Sequence, residues 1–140
     1  MANAKDLVRA AFEARDKAYV PYSNHGVGAA LLTTDGQIIL GCNIENAAYT
    51  PTNCAERTAF FKAVSEGITD FEAIAIVGGP MSRKATNICP PCGVCRQVMR
   101  EFCGQDFIIY LGCRDENENI DYKEYTLADL LPQGFGPDNL

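Results

Sequence analysis

The chain has 140 residues, of which 47% are hydrophobic and 21% are charged, and these values predict one soluble globular domain spanning residues 1–140. Its formal net charge of −6 provides no excess of positive charge for phosphate backbones, so we expect no nucleic-acid partner. No apolar run is long enough to cross a membrane and the polar N-terminus lacks a secretory signal, so we expect no membrane partner and an intracellular, cytoplasmic location.

The first half of the chain predicts a helix, a β-hairpin and a second helix. Asn3 is a residue type that caps helices, and an apolar face predicts a helix from about residue 4 to residue 19, before the break at Pro21. Strands from residue 27 to 33 and from 38 to 42 flank Asp35-Gly36, a dipeptide typical of hairpin turns. The second helix is predicted from about residue 54 to residue 66, where Gly67 stops it.

The second half predicts strands that alternate with helices. A nearly continuous apolar run predicts a strand from residue 71 to 77 with both faces covered. A loop then leads to a third helix, from about residue 92 to 103, and to a second buried strand from 107 to 111. Residues 122–125 predict an edge strand, and Thr126 with Asp129 predicts the capped start of a short helix. This order of elements indicates an α/β sandwich with a mixed sheet.

Two segments carry the residue types of a catalytic zinc site. Cys54 opens the second predicted helix, and Cys92 and Cys95 lie on one face of the first turn of the third. Three thiolates leave one of the four zinc positions open for water, whereas structural zinc is usually closed by four protein ligands. Both helix N-termini favour thiolates. The sequence therefore predicts one Zn²⁺ per subunit, held by Cys54, Cys92 and Cys95.

Glu56 and Arg57 come soon after the first predicted ligand. Glu56 is poorly placed to be a fourth ligand, but as a proton carrier it needs only to reach the water at the metal. An ordinary acidic residue in a first helical turn is the alternative, and the nearby cysteines favour the catalytic interpretation. Arg57 is the best candidate to offset the charge of three thiolates, by donating a hydrogen bond to a ligand sulfur.

The other four cysteines allow simpler interpretations. Cys89 forms a second Cys-x-x-Cys pattern with Cys92, which is typical of thiol–disulfide exchange but leaves the Cys54 segment unexplained. Cys42, Cys103 and Cys113 are interpreted as small buried apolar residues. In the reducing compartment expected for this chain, the odd total of seven cysteines indicates metal ligands or small buried residues and not a disulfide framework.

Several motifs closely resemble those of cytidine deaminases of the short, homotetrameric kind. The motifs are Cys42-Asn43-Ile44-Glu45-Asn46-Ala47-Ala48-Tyr49, Asn53-Cys54-Ala55-Glu56-Arg57-Thr58-Ala59 and Pro91-Cys92-Gly93-Val94-Cys95-Arg96-Gln97. Pro21-Tyr22-Ser23 and Phe135-Gly136-Pro137 fit the terminal patterns of the same family. The resemblance therefore extends over nearly the whole chain.

This resemblance implies a fold, a reaction and an assembly. The expected fold is a three-layer α/β/α sandwich with a mixed sheet of about five strands. The expected reaction is hydrolytic deamination of cytidine and 2′-deoxycytidine to the uridines in pyrimidine salvage, with a zinc-bound hydroxide attacking C4 and Glu56 as proton shuttle. The expected partner is a small nucleoside, and the expected assembly is a homotetramer with active sites shared between subunits.

The resemblance also assigns contacts to the sugar and to the base. Asn43 and Glu45 are expected to hold the ribose 3′-hydroxyl, for which an amide and a carboxylate are suitable partners. The backbone around Ala55, together with Glu56, is expected to contact the pyrimidine. His25 stands where the family usually has a Phe that stacks on the base, and a histidine can stack and also hydrogen-bond.

Tyr49 and Phe135 are expected to build the pocket that subunits share. The alternative for Phe135 is an aromatic packed on its own domain. Likewise, His25 is alternatively a loop residue with no role, and Asn43 and Glu45 are alternatively two polar loop residues.

Three other functions remain open at the level of sequence. One is deamination of a modified cytosine nucleoside such as blasticidin S. Another is deamination of polynucleotides, which the acidic charge disfavours. The third is a non-catalytic, zinc-stabilised module, which requires a fourth protein ligand, for which Cys89 is the obvious residue.

Overall fold

In the part of the chain that the structure describes, five strands form one sheet and four helices cover its two faces. The computed structural model describes residues 2–140. The helices are α1 (Ala4–Arg15), α2 (Ala55–Ser65), α3 (Gly93–Phe102) and α4 (Leu127–Leu130), and the strands are β1 (His25–Thr33), β2 (Ile38–Cys42), β3 (Phe71–Pro80), β4 (Ile108–Arg114) and β5 (Ile120–Thr126). A 3-10 turn, Pro137–Asn139, lies near the C-terminus. Within the described residues, no helix combines the length and apolarity needed to span a bilayer.

The sheet is mixed, with strand order β2-β1-β3-β4-β5. The β1–β2, β1–β3 and β4–β5 pairs are antiparallel, and only β3 and β4 run parallel. The central strand β3 is buried from Ala73 to Gly79, which confirms that both its faces are covered. β5 lies at an edge of the sheet, as its more polar sequence predicts.

Each face of the sheet has its own hydrophobic core, because neighbouring strand residues point to opposite faces. On one face, α1 packs against alternate residues of β1 and β3. This core contains Leu7, Val8, Ala11, Phe12, Ala30, Ala73, Ala75 and Val77. On the other face, α2 and α3 pack on the intervening strand residues. That core contains Ala59, Phe60, Met99, Leu31, Ile74, Ile76 and Ile109. These two cores confirm the three-layer α/β/α sandwich.

Two glycines allow helices to approach the sheet closely. A Cβ atom at Gly41 would lie 2.6 Å from the backbone nitrogen of Ala59 in α2. A Cβ atom at Gly28 would overlap the backbone of α1 at Ala11 and Arg15. The missing side chains therefore bring both helices into contact with the β1–β2 hairpin. For α2 this contact fixes the helix that Cys54 precedes.

The predicted first helix is too long, since α1 ends at Arg15 rather than at Tyr19. After Arg15 the amides of Lys17 and Ala18 bond to carbonyls three residues earlier, which forms turns instead of helix. Tyr19 then pairs with Ile44 in an isolated parallel bridge. The helix ends where the chain turns to make this pairing.

The predicted strands at the centre of the sheet are too short. β1 begins at His25 instead of residue 27, and β3 ends at Pro80 instead of residue 77. The two extensions pair with each other, His25 with Pro80 and Val27 with Gly78. Glycine and proline are local signals against strand, and here the long-range pairing outweighs them. The other boundaries differ from the prediction by three residues or fewer.

The predicted helix caps are confirmed, whereas the predicted burial of three cysteines is confirmed only for one. Asn3 and Thr126 both cap helices, each in a reciprocal capping box with the acidic residue three positions on. Cys103 is buried as predicted, whereas the interpretation is wrong for Cys42 and Cys113, which are only partly buried. Both lie in outer parts of the sheet, in β2 and near the end of β4, where less of the side chain is covered.

Candidate metal centre and active site

The N-termini of α2 and α3 meet at a cluster of three cysteines. Cys54 is the N-cap residue of α2 and makes no side-chain capping bond, so its sulfur is free to bind elsewhere. Cys92 is the N-cap residue of α3, and its sulfur accepts a hydrogen bond from the backbone N–H of Cys95. Pro91 precedes this cap, where its missing N–H leaves no hydrogen bond unmade. The positive ends of two helix dipoles therefore face the sulfurs, as the sequence predicts.

The three sulfurs have the spacing that one zinc ion requires. The Sγ atoms of Cys54, Cys92 and Cys95 all lie within 4.8 Å of one another. Cys92 Sγ is 3.8 Å from Cys54 Sγ and 3.4 Å from Cys95 Sγ. Tetrahedral coordination with Zn–S bonds of about 2.3 Å places sulfurs about 3.8 Å apart. The donor set and its geometry thus fit zinc and leave the fourth position of a tetrahedron open.

Arg57 neutralises part of the charge of the cysteine cluster. Its Nη2 donates to Cys54 Sγ at 3.2 Å. Burial acts to lower the pKa of Arg57, but hydrogen bonds to the sulfurs of Cys54 and Cys95 outweigh it and raise the pKa above its ordinary value. Hydrogen bonds from Cys95 and Arg57 in turn lower the pKa of Cys54 to about 5, against the opposing effect of burial. The Cys54 sulfur is therefore a thiolate at neutral pH.

Glu56 is a buried carboxyl group next to the cysteine cluster. Its residue is only 4% exposed, and its Oε1 atom has no hydrogen-bond partner among the described residues. Burial raises the pKa of Glu56 to about 7, and the charge of Cys54 adds to this effect. Unpaired buried carboxyl oxygens are costly and therefore uncommon outside functional sites. The group is in a suitable state to accept and return a proton near neutral pH.

Asn43 and Glu45 lie close together, and their polar atoms form hydrogen bonds with neighbouring segments of the same chain. Asn43 Oδ1 accepts from the Val27 N–H at 2.8 Å, and Asn43 Nδ2 donates to the His25 carbonyl at 2.9 Å. Glu45 accepts from the backbone N–H of Ser23 at 3.1 Å and also from its hydroxyl. Both side chains thus order the segment around His25. Glu45 is only partly buried, so its carboxylate is still accessible to a donor from a ligand.

A cavity of about 360 Å³ adjoins Glu45 and is lined largely by apolar surface. Its walls are Tyr22, Ser23, Glu45, Asn46, Ala47, Tyr49 and Thr52. Ser23 was not identified as functional from the sequence, although its position two residues before His25 is a signal for a side-chain turn. Its hydroxyl joins the Glu45 carboxylate to the His25 N–H. Ser23 therefore fixes the relative positions of two predicted substrate contacts.

His25 and Cys89 face each other at the end of the central strands. His25 Nε2 lies 3.9 Å from Cys89 Sγ. Cys89 is not part of the three-sulfur cluster, so it does not close the metal site as a fourth ligand. Burial, followed by the charges of Glu56 and Cys54, raises the pKa of Cys89 to about 11. Its thiol is therefore neutral, and it lies within electrostatic range of the metal centre.

The other predicted substrate contacts are not brought into one pocket by a single chain. Ala55 is fully buried as the first residue of α2. Tyr49 lines the cavity beside Glu45 but is 83% exposed, and its φ of 65° lies in the left-handed region. Phe135 is 58% exposed and lies in a different cavity, beside Arg100 of α3. Tyr49 and Phe135 thus line two different cavities of the chain.

Sequence reasoning also missed the arginines that hold the segments around the site. Arg96 donates from Nε to the Pro91 carbonyl at 2.8 Å, just before the ligand Cys92. Arg15 and Arg100 are buried and bind distant parts of the chain. A basic residue on an otherwise apolar helical face is the only local signal for such a role, and it does not identify the partner.

Comparison with known proteins gives concordant results over the whole chain. The family model "Cytidine and deoxycytidylate deaminase zinc-binding region" matches residues 1–111. A cytidine deaminase from Sporosarcina psychrophila is 50% identical over 141 residues, covering 99% of this chain and 95% of the relative.

A solved structure and a more distant relative complete the comparison. The crystal structure of cytidine deaminase from Burkholderia pseudomallei has a TM-score of 0.82 and 42% identity, covering 96% of this chain and 100% of that one. A blasticidin-S deaminase from Bacillus cereus is 35% identical over 130 residues, covering 91% of this chain and 88% of the relative.

Proposed function

Because the chain belongs to the cytidine and deoxycytidylate deaminase family, we propose that it is a zinc-dependent cytidine deaminase acting on free nucleosides. The reaction replaces the 4-amino group of cytidine or 2′-deoxycytidine with oxygen, consuming one water and releasing one ammonia. The observation that carries this proposal is the buried, unpartnered Glu56 carboxyl beside the three-cysteine zinc site. A purely structural zinc site has no use for such a group.

The residues of the site divide the chemistry between them. Cys54, Cys92 and Cys95 would hold the zinc ion, which would supply the Lewis acid that activates water. Glu56 takes up the proton that the attacking water loses and delivers it to the ring nitrogen N3, which makes C4 electrophilic. Glu56 then takes up the proton of the new hydroxyl group at C4 and passes it to the departing amino group, so C4 becomes a carbonyl and ammonia leaves. One carboxyl group thus acts first as base and then as acid. Arg57 holds Cys54 in its thiolate form throughout.

The sugar site favours a free nucleoside over a polynucleotide. We assign Asn43 and Glu45 to the ribose 3′-hydroxyl, and the Ala55 backbone and His25 to the base. The Glu45 carboxylate, held by Ser23, accepts a hydrogen bond from a hydroxyl but repels a phosphate at that position. Ser23 and Asn43 hold this carboxylate and the His25 backbone in place. Their hydrogen bonds are therefore expected to fix where the nucleoside lies.

Two alternative functions receive less support. The relative that deaminates blasticidin S is less similar, at 35% identity, than the 50% identical cytidine deaminase. The non-catalytic zinc module requires Cys89 as a ligand, and its sulfur instead faces His25 at 3.9 Å.

The assembly and location are part of the same proposal. We infer a homotetramer in which Tyr49 and Phe135 complete the pocket of a neighbouring subunit, since both rings are exposed and lie in separate cavities of one chain. Each subunit is a single domain of residues 1–140 with one zinc ion. A reducing cytoplasm suits a site made of three free thiols.

The direct test is to mix the zinc-loaded protein with cytidine and to follow the ultraviolet spectrum for conversion to uridine. Conversion with matching ammonia release is the expected result. An absence of turnover with zinc bound would contradict the proposal, and blasticidin S would then be the next substrate to assay. The Cys89→Ser variant provides a separate check, because it is expected to retain zinc, whereas the structural-module alternative requires that zinc is lost.

A further inference from the structure

Arg15, the last residue of α1, is a buried cation without an acidic partner. The residue is 8% exposed, and none of the ion pairs formed within residues 2–140 includes it. Burial lowers the pKa of Arg15, and the charge of the neighbouring Asp16 opposes this only in part. A buried charge is costly unless polar groups compensate for it. The polar groups that compensate for the buried charge of Arg15 therefore indicate the role of its side chain.

The guanidinium group binds four backbone carbonyls from three separate segments. Nε donates to the Gly26 carbonyl at 3.2 Å, at the start of β1. Nη2 lies 3.0 Å from the Gly79 carbonyl and 2.8 Å from the Pro80 carbonyl, at the end of β3. It is also 3.3 Å from the Arg83 carbonyl, in the loop that follows. One side chain thus joins α1, β1, β3 and the loop leading to the zinc ligands of α3.

The joined segments carry the residues that face the proposed base site. Gly26 directly follows His25, and Gly79 directly follows Gly78. A Cβ atom at Gly78 would lie 2.8 Å from Cys89 Sγ, so the glycine makes the space in which the thiol packs. Cys89 Sγ in turn lies 3.9 Å from the His25 ring. The strand ends that Arg15 fixes therefore determine where His25 and Cys89 stand.

We propose that Arg15 is a positioning residue of the active site, which fixes His25 and Cys89 relative to Glu56 by clamping the ends of β1 and β3. This inference rests on the proposed deaminase function for its kinetic consequence. The zinc ligands and Glu56 are held separately, by the N-termini of α2 and α3. Loss of the clamp is thus expected to weaken substrate binding more than it slows the chemical step.

The test variant is Arg15→Lys, which keeps the positive charge but lacks the planar fork that spans several carbonyls. We expect full zinc content and a fall in kcat/KM for cytidine of about tenfold, mainly through a higher KM. In a His25→Ala background the same substitution is expected to cost less than twofold, because the ring through which Arg15 affects substrate binding is then absent. The matched control is Arg9→Lys, an exposed arginine on the same helix, with unchanged kinetics.

A spectroscopic measurement tests the positioning without any turnover. His25 is the only histidine of the chain, so its imidazole Hε1 proton gives one assignable NMR signal. Arg15→Lys is expected to shift or broaden that signal in the zinc-loaded protein, whereas Arg9→Lys leaves it unchanged. If the wild-type protein fails to deaminate cytidine, the proposed function fails, and this signal still decides whether Arg15 positions His25.

Three outcomes would overturn the proposal. One is a lower melting temperature for Arg15→Lys with unchanged KM, kcat and His25 signal, which describes a purely structural residue. Another is an equal loss of kcat/KM with and without His25. The third concerns folding: if neither Arg15→Lys nor Arg15→Gln yields folded protein in the presence of zinc, Arg15 serves stability instead of positioning.

Discussion

At the scale of single residues, Glu56 is the side chain whose surroundings say most about the chemistry. A first-turn glutamate is ordinarily exposed and ionised, whereas this one is buried and its Oε1 atom is unpaired. Burial raises the pKa of Glu56 to about 7. The sequence identified the residue from its distance to Cys54, and the structure adds the environment that suits a proton carrier.

Replacing Glu56 by Gln is expected to abolish turnover and to preserve the metal site. The amide has the same shape but carries no proton between water and base, so kcat is expected to fall by a factor of about 10³ or more. Zinc content, measured by atomic absorption, should remain at one ion per chain. Glu66→Gln, an exposed change at the end of the same helix, is the matched control. Full activity in Glu56→Gln would disprove the proton-carrier role.

The cysteines outside the metal site are expected to differ in reactivity. Burial, with a smaller effect of Asp106, raises the pKa of Cys103 to about 12, so its thiol stays protonated and unreactive as the pH rises through neutrality. Cys42 and Cys113 are less buried and should be alkylated first in the zinc-loaded protein at pH 8. Removing zinc with a chelator should add Cys54 and Cys92 to the modified residues.

Peptide-resolved mass spectrometry after a short iodoacetamide pulse measures this order. Denatured protein, in which all seven cysteines react, supplies the reference for each peptide. Labelling of Cys103 as fast as Cys113 in the folded protein would contradict the prediction.

At the scale of elements, α3 carries two zinc ligands and also holds the C-terminal segment. Arg96 Nη1 donates to the Leu130 carbonyl at 2.6 Å, and Gln97 Nε2 donates to the Phe135 carbonyl at 2.8 Å. Arg100 Nη2 pairs with Asp138 Oδ2 at 3.0 Å. The position of Phe135 is therefore set by the helix that forms the metal site.

The Asp138→Asn substitution should loosen the C-terminal segment without affecting the metal. It removes the charge that faces Arg100, whose side chain is 8% exposed while that of Asp138 is 82% exposed. Because the pair is half in solvent, we expect a stability loss below about 1 kcal/mol. The sensitive measurement is the rate of limited proteolysis after residue 131, which should rise several-fold. The control is Asp70→Asn, which changes an exposed aspartate whose side chain makes no hydrogen bond within residues 2–140. Equal proteolysis rates for Asp138→Asn and wild type would show that the Arg100–Asp138 pair does not hold the C-terminal segment.

The sequence predicts local features of these elements better than the contacts between them. The helix caps at Asn3 and Thr126 and the cysteine spacing on α3 depend on neighbours three residues apart, and all appear as predicted. The ends of β1 and β3 were mispredicted, because their Gly and Pro residues pair only across the sheet. The role of Arg15 was missed for the same reason, since its farthest carbonyl partner is 68 residues away.

At the scale of the whole molecule, a single chain leaves several large apolar side chains exposed to solvent. The exposed set includes Tyr19, Tyr22, Ile44, Tyr49, Phe61, Val94 and Phe135. Tyr22 and Tyr49 line the cavity beside Glu45. Another subunit that packs against these two side chains would therefore also close the pocket. Association of this kind is expected to be symmetric, with each subunit giving and receiving the same residues.

Subunit mixing tests whether the active sites are shared. Phe135→Ala removes a ring that the proposal places in the neighbour's pocket, so this variant should lose at least about tenfold in kcat/KM. Glu56→Gln is inactive in its own subunit. When the two variants are co-expressed, a site that combines the intact Glu56 of one chain with the intact Phe135 of another is active, and random mixing in a symmetric oligomer gives about a quarter of such sites.

Activity of the mixture well above that of either parent is therefore the expected result. The matched control pairs Glu56→Gln with Cys95→Ala, because both residues belong to the metal centre of one chain. In that mixture each site lacks either the proton carrier or a zinc ligand, so no activity should return. Recovery in the first mixture and none in the second would require that Phe135 acts across the interface. Unchanged kinetics in Phe135→Ala alone would instead mean that the ring packs on its own subunit and contributes to no neighbouring site.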